Sequence, residues 1–197
     1  MPHYERRLPH WDTVDQPLFV TFRLHGSLPA HRVFPPDSLA QSGRAFVTMD
    51  RLLDRGTSGP LYLQRPALAQ MVVAALHDGE QRFHRYQLHA YVVMPNHVHA
   101  LAAVKPECSL AGIVHSWKSY SAKRANRILG RTGAFWAKEY FDRFMRDDEH
   151  LATTAAYIEG NPVKAGLCQE VSDWRFSSAW HDWSGRDARG PHTAQPQ

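Results

Sequence analysis

Two eight-residue runs, Tyr86–Val93 (YQLHAYVV) and His97–Val104 (HVHALAAV), stand three residues apart in the sequence. Both are rich in Val, Ala and Leu, and the link between them is Met94-Pro95-Asn96. Proline fixes φ and asparagine tolerates the left-handed region, so the link reads as a turn and the pair as a β-hairpin. Apolar residues occupy both alternating faces of the two runs. Strands of that kind are covered on both sides, which places the hairpin in the middle of a sheet and demands other elements above and below it.

Those elements are legible on either side. Leu18 to His25 is β-branched and aromatic and is closed by Gly26-Ser27, as a strand would be. Ala67 to His77 carries Leu68, Met71, Val72, Ala75 and Leu76 at helical spacing. Ser109 can cap a helix that runs to about Leu129, with Leu110, Ile113, Val114, Trp117 and Ser121 as its stripe and Gly130 as its end. Phe135 to Met145 reads as a further strand. Asp147-Asp148-Glu149 caps and charges the start of a last helix, whose end is expected near Gly160-Asn161 because Pro162 disfavours helical geometry before it. Ser27 to Pro60 is irregular, with a short helix expected near Asp37 to Arg51. The order of elements predicts an α+β sheet with helices packed on it, in a single domain over 1–183, followed by a poorly ordered tail over 184–197.

The composition is that of a folded chain, with 43% hydrophobic and 21% charged residues among 197, which argues against wholesale disorder. No apolar run approaches the roughly 20 residues that span a bilayer, and the start of the chain lacks a secretory pattern. Two cysteines, Cys108 and Cys168, give neither a disulfide framework nor a four-thiolate zinc site. A cytoplasmic location follows as the expectation. The net charge of +4 leans toward a polyanionic partner, and the cations concentrate after Trp117. Lys118, Lys123, Arg124 and Arg127 offer either a track for DNA phosphates or a solvated helix face.

His97 and His99 share one face of the second hairpin strand, about 7 Å apart at Cα by strand rise, while Val98 points the other way. Two imidazoles on an otherwise apolar strand either find water and backbone partners or converge on one divalent cation. In the last helix, Leu151, Ala155 and Ile158 form a buried stripe, and His150, Thr154, Tyr157 and Asn161 cluster on a neighbouring face. Tyr157 and Asn161 are one turn apart. Read singly, Tyr157 is a core tyrosine and Asn161 a helix-stop residue. Beside two imidazoles, a phenol and a carboxamide suit phosphoryl chemistry. Tyr120, flanked by basic residues, is the rival nucleophile, and His150 a candidate for proton transfer.

Val92-Val93-Met94-Pro95-Asn96-His97-Val98-His99 resembles the histidine–hydrophobe–histidine (HUH) signature of the Y1 transposases of the IS200/IS605 type, and more closely that of the REP-associated tyrosine transposases. Tyr157-Ile158-Glu159-Gly160-Asn161-Pro162-Val163-Lys164-Ala165-Gly166-Leu167 is similar to the catalytic tyrosine segment of that group. Phe135 to Arg143 and Asp173 to Ser178 add to the likeness, which covers roughly Leu18 to Trp180. Arg143 stands where some relatives place a histidine, and nothing is carried over before Ala67.

The resemblance implies a ferredoxin-like antiparallel sheet with helices packed on one face. It implies metal ligands at His97, His99 and Asn161 or its near neighbour, and the nucleophile at Tyr157. It also implies a divalent Mg²⁺ or Mn²⁺, and cleavage and rejoining of single-stranded DNA through a 5′-phosphotyrosine at hairpin-containing, REP-like repeats. The protein would then be nucleoid-associated, as a monomer or a homodimer. Trp136 and Trp174 are candidate stacking platforms for DNA bases. Two other readings stand beside this one: a DNA-hairpin-binding protein that has lost the chemistry, and a metal hydrolase that uses water and leaves Tyr157 structural.

Overall fold

A computed structural model of the chain describes residues 16–28, 50–54 and 59–180. Its strands are β1 (Pro17–Leu24), β2 (Tyr86–Val93), β3 (His97–Val104) and β4 (Trp136–Phe144). Its long helices are α1 (Pro66–His77), α2 (Leu110–Leu129) and α3 (Asp148–Lys164). The strands form one sheet in the order β2-β3-β1-β4, and every neighbouring pair is antiparallel. This is the split β-α-β-β-α-β order expected of a ferredoxin-like sheet.

Alternation along the strands separates two cores. Leu18, Val20, Phe22 and Leu24 of β1 and Val98, Ala100 and Ala102 of β3 pack with Leu68, Val72 and Leu76 of α1 and with Ile113, Val114 and Trp117 of α2. Phe19, Ala90, Val92 and Leu101 point to the other side, where they meet Ile158 of α3. The pair α1 and α2 therefore covers one face, as the ferredoxin-like expectation has it, and α3 covers the other. This explains why the hairpin is apolar on both faces, although only β3 lies inside the sheet and β2, expected in the middle, stands at its edge. The free edge of β2 is shielded by the chain after α3: Val93 N–H donates to Phe176 O at 2.8 Å and Ser178 N–H to Tyr91 O at 2.9 Å. An unpaired edge invites foreign strands, and this pairing closes it.

Helix starts follow the capping residues. Ser109 Oγ accepts from Gly112 N–H at 3.2 Å, and the Asp147 carboxylate accepts from His150 N–H at 2.7 Å. One end differs from the sequence expectation. Helix α3 does not stop before Pro162 but runs through it to Lys164. The stop is made instead at Gly166, with φ of +71°. Gly166 N–H donates to Val163 O at 2.9 Å and Leu167 N–H to Pro162 O at 2.9 Å, the paired bonds of a Schellman cap. Proline removes one donor, but Asn161 and Pro162 are both buried, and packing holds the last turn helical against that local loss.

The short helix expected near Asp37 to Arg51 lies almost wholly outside the described residues, although 50–54 is helical. The expected domain end at residue 183 and the tail 184–197 also lie outside them. Among the described residues no helix is long and apolar enough to cross a membrane.

Candidate active site

His97 and His99 are fully buried on the α3 side of β3. Each ring is held at Nδ1 by a neighbour, which aims Nε2 into the site. His97 Nδ1 lies 2.7 Å from Asn96 Oδ1, and the Asn96 amide is itself oriented by donating to Leu53 O at 3.0 Å. With Asn96 Oδ1 as acceptor, His97 carries its proton on Nδ1 and presents a lone pair at Nε2. His99 Nδ1 meets Thr21 Oγ1 at 2.7 Å, across the register that pairs Thr21 of β1 with His99. The two Nε2 atoms stand 3.0 Å apart.

A carboxylate that sequence reasoning did not find completes the group. Asp50, from the helical 50–54 segment, places Oδ1 3.0 Å from His99 Nε2 and 3.9 Å from His97 Nε2. One potential ligand atom each from Asp50, His97 and His99 lie within 4.8 Å of one another, and all three residues are buried. The set suits a divalent cation: two imidazole nitrogens and a carboxylate oxygen converge, and Asp50 Oδ1 has no hydrogen-bond partner of its own among the described residues.

Tyr157 reaches the same carboxylate from α3, its hydroxyl donating to Asp50 Oδ2. The Tyr157 ring lies 6.2 Å from the His99 ring and 6.4 Å from that of Phe19, centroid to centroid. One turn on, Asn161 is fully buried and its Oδ1 has no hydrogen-bond partner among the described residues. Its amide nitrogen donates back to Tyr157 O at 3.4 Å. A buried acceptor left without a donor is costly and rare, and an oxygen that ligates a cation would have no such deficit. Lys164, a further turn along, puts Nζ 3.7 Å from Asp50 Oδ2, 3.3 Å from Asp54 Oδ2 and 5.0 Å from the Tyr157 ring centroid.

The electrostatics favour ligand-ready protonation states. Burial, reinforced by the charge of His99, pushes His97 well below the ordinary imidazole value, so the ring is neutral. Burial acts to raise the Asp50 carboxyl, but the neighbouring His99, His97 and Lys164 together outweigh it and hold the group below its ordinary value. Asp54 is pushed up, by burial first and then by Asp50. An ionised carboxylate beside a neutral imidazole is the state in which metal ligands bind.

Residues 68–161 match the family described as transposase IS200 like. That stretch is a little under half of the chain, and over it the sequence is similar to the IS200-like transposases. It is 28% identical over 103 residues to a protein of Haemophilus influenzae that carries the REP-associated tyrosine transposase name, covering 47% of this chain and 58% of that one. It is also 28% identical over 97 residues to a REP-associated tyrosine transposase of Escherichia coli K12, covering 49% of this chain and 56% of the relative. The chain thus spans little more than half the length of either. Among solved structures, a REP-associated tyrosine transposase bound to a REP hairpin superposes with a TM-score of 0.58 at 19% identity, over 96% of this chain and 89% of that one. At that identity the likeness is one of fold. His97, His99, Tyr157 and Asn161 fall inside the family match; Asp50 and Lys164 fall outside it.

The remaining sequence-predicted residues are placed elsewhere. Tyr120 is on α2, which covers the sheet face opposite the histidines, so the sheet stands between it and their Nε2 atoms. His150 turns its Nδ1 back to Arg146 N–H at 3.4 Å in the first turn of α3. Trp136 is a core residue, packed edge-on against Phe22 and donating to Ser121 Oγ at 2.8 Å. Trp174 is half-buried and donates to Val93 O at 3.0 Å. Both indoles hold the fold together, and the buried Trp136 offers no open face of the kind stacking needs. Lys123, Arg124 and Arg127 are exposed on α2, but Lys118 leaves their face and donates to Lys138 O at 2.8 Å. Burial first, and then Arg23, lower the Lys118 ammonium to about 8.

Asp50 escaped sequence reasoning for a physical reason. Asp50-Arg51-Leu52-Leu53-Asp54 offers one helical turn, with Asp50 and Asp54 four apart and Leu53 buried. That is too little periodicity to register among the surrounding prolines and glycines. The i, i+4 acid pair was the one signal available.

Proposed function

We propose that this chain is a metal-dependent, single-strand DNA transposase in which Tyr157 cuts the strand and keeps it as a 5′-phosphotyrosine. The observation that supports this most is the meeting, within one chain, of a phenol with a carboxylate and two imidazoles (Tyr157 with Asp50, His97 and His99) in a buried group. His97 Nε2, His99 Nε2 and Asp50 Oδ1 would hold the cation, and the buried Asn161 Oδ1, which has no hydrogen-bond partner among the described residues, is the candidate further ligand. The cation we expect is Mg²⁺ or Mn²⁺, and it would supply Lewis-acid polarisation of the scissile phosphate.

The protein's own groups then have defined tasks. A free phenol has a pKa of about 10 and is a weak nucleophile at neutral pH. Asp50 Oδ2, which accepts the Tyr157 hydroxyl, takes its proton. The phenolate oxygen bonds to phosphorus as the P–O3′ bond breaks, and the released 3′-oxygen is protonated from solvent. Lys164, near both the Tyr157 ring and Asp50, offsets the negative charge that builds on the phenolate. A second 3′-hydroxyl attacks the phosphotyrosine in the reverse sense, restores Tyr157 and joins the strand to new DNA. The phosphodiester energy is conserved in the covalent bond, so no nucleotide cofactor is consumed.

The substrate we assign is a single strand bearing a REP-like hairpin, the type of DNA on which the structural relative was solved. Lys123, Arg124 and Arg127 are a track for its phosphates. The test is to incubate the protein with labelled hairpin-bearing single strands. Cleavage should require added Mg²⁺ or Mn²⁺, stop with a chelator, and disappear in His97→Ala and His99→Ala. Tight binding with no cleavage across a broad hairpin set and both metals would contradict the enzymatic reading and leave a DNA-binding protein.

A further inference from the structure

A second feature lies far from this site. A cavity of about 240 Å³ opens on the other sheet face, where the end of α1 meets α2. Its floor is apolar: Ala75, Ile113, Trp117 and the Tyr86 ring. Two exposed aromatics line it, Phe83 at 52% and Tyr120 at 41% exposure. Each already carries cations: the Arg82 and Arg85 guanidiniums lie 5.4 and 5.2 Å from the Phe83 centroid, and Arg124 lies 5.4 Å from that of Tyr120. The lining includes one carboxylate, Asp78.

The backbone at this place departs from what a connection alone needs. Helix α1 continues into a π-helical turn, Asp78–Arg82, closed by Phe83 N–H donating to Asp78 O at 3.0 Å. His84 then takes a left-handed φ of +50° without being glycine. Both conformations are unfavourable and concentrate where a side chain must be aimed for use. The floor is locked in advance. Tyr86 Oη donates to Leu76 O at 2.5 Å and accepts from Trp117 Nε1 at 2.8 Å. A Cβ at Gly79 would fall 2.1 Å from Tyr86 Oη, so only glycine allows this approach. A rigid, apolar slot with exposed rings and guanidiniums at its mouth matches a flat aromatic ligand flanked by anions.

We propose that this cavity takes an unpaired nucleobase of the bound DNA, with Phe83 and Tyr120 as its stacking surfaces and Arg82, Arg85 and Arg124 on the flanking phosphates. The assignment rests on the DNA reading above, and it adds a second anchoring point. Tyr86 pairs with Val104, at the opposite end of β3 from His97, so the base held here is well removed from the scissile phosphate. A paired base offers no free face, so the site discriminates single-stranded flank from stem. Asp78 can accept a hydrogen bond from a base amine, favouring bases that carry one over thymine.

The probes are a hairpin oligonucleotide with a single-stranded flank and the same stem with blunt, fully paired ends. Base–aromatic stacking is worth enough that Phe83→Ala or Tyr120→Ala should weaken binding of the flanked hairpin about tenfold. Both side chains are exposed, so the fold is kept, and binding of the blunt stem should be unchanged. 2-Aminopurine moved through the flank should show one position quenched by wild-type protein and not by Phe83→Ala. Arg82→Gln with Arg85→Gln should flatten the salt dependence of binding. Equal affinity of the variants for the flanked hairpin, or an equal loss on both probes, overturns the proposal. Covalent adduct formation at Tyr157 is read separately. Adduct with no effect of Phe83→Ala sinks the pocket alone, and a Phe83→Ala effect without adduct sinks the cleavage reading alone.

Discussion

Thr21 and Asn96 hold the two imidazoles from behind, each through Nδ1, and such supports carry much of a metal site's affinity. Thr21→Val and Asn96→Ala should each weaken Mn²⁺ binding about 10- to 100-fold. A titration of thermal stability against Mn²⁺ measures it, since a ligand that binds only the folded state raises the midpoint by mass action. Wild type should show the rise, and His97→Ala with His99→Ala should show none. Asp50→Asn keeps an oxygen near Tyr157 but removes the charge; it should reduce the Mn²⁺ shift and slow cleavage about 100-fold or more, the scale of a lost general base. At this scale periodicity gave only shared faces: alternation puts His97 and His99 on one side of a strand, and one helical turn puts Tyr157 beside Asn161. Their roles as ligands and nucleophile were implied by the family resemblance. Asp50 lies on a separate segment with no period linking it to the others, and only the folded chain brings its carboxylate between them. Trp136 was misread as a surface platform, since its aromatic character alone does not say which side of β4 is covered.

Helices and strands divide in the same way. The hairpin β2–β3 falls on the residues that alternation and the Pro-Asn turn mark out, because both signals are local and agree. The end of α3 does not, because two stop signals compete. Pro162 acts on the residue before it, whereas Gly166 supplies a left-handed φ that closes the cap, and the buried Asn161–Pro162 turn stays helical between them. Gly166→Ala should therefore cost about 1 kcal/mol in urea unfolding, the penalty of a Cβ in the left-handed region. Pro162 in the helix keeps Asn161 one turn from Tyr157 and Lys164 in reach of Asp50. On α2 the basic residues do not act together. Lys123→Gln with Arg127→Gln should lower the slope of log affinity against log salt by about two, one per phosphate contact. Lys118→Met should leave that slope alone, because its ammonium is spent on Lys138 O.

As a whole, the fold spreads two covered faces over one sheet and gives each a different content: apolar packing with α1 and α2, and the candidate active site with α3. One chain supplies every residue of the candidate site described above. Mixing Tyr157→Phe with His97→Ala protein should not restore cleavage, and restoration would show that α3 works on a partner's histidines. The buried neutral His97 also sets a pH dependence. Unfolded, its ring takes up a proton near pH 6.5 or about the ordinary value, while the folded protein resists. Stability from the neutral ring is thus present above that pH and lost as pH falls below it, so metal-free protein should melt at progressively lower temperature between about pH 7 and 5. The central claim is that Tyr157 becomes covalently joined to DNA. Wild type and Tyr157→Phe should be incubated with Mn²⁺ and hairpin-bearing single strands labelled 3′ of the cut, then run on a denaturing gel. The account predicts a labelled protein band with wild type only, with the Tyr157 peptide carrying the 5′-phosphate. Cleavage by wild type without that band, or cleavage that survives in Tyr157→Phe, would contradict it.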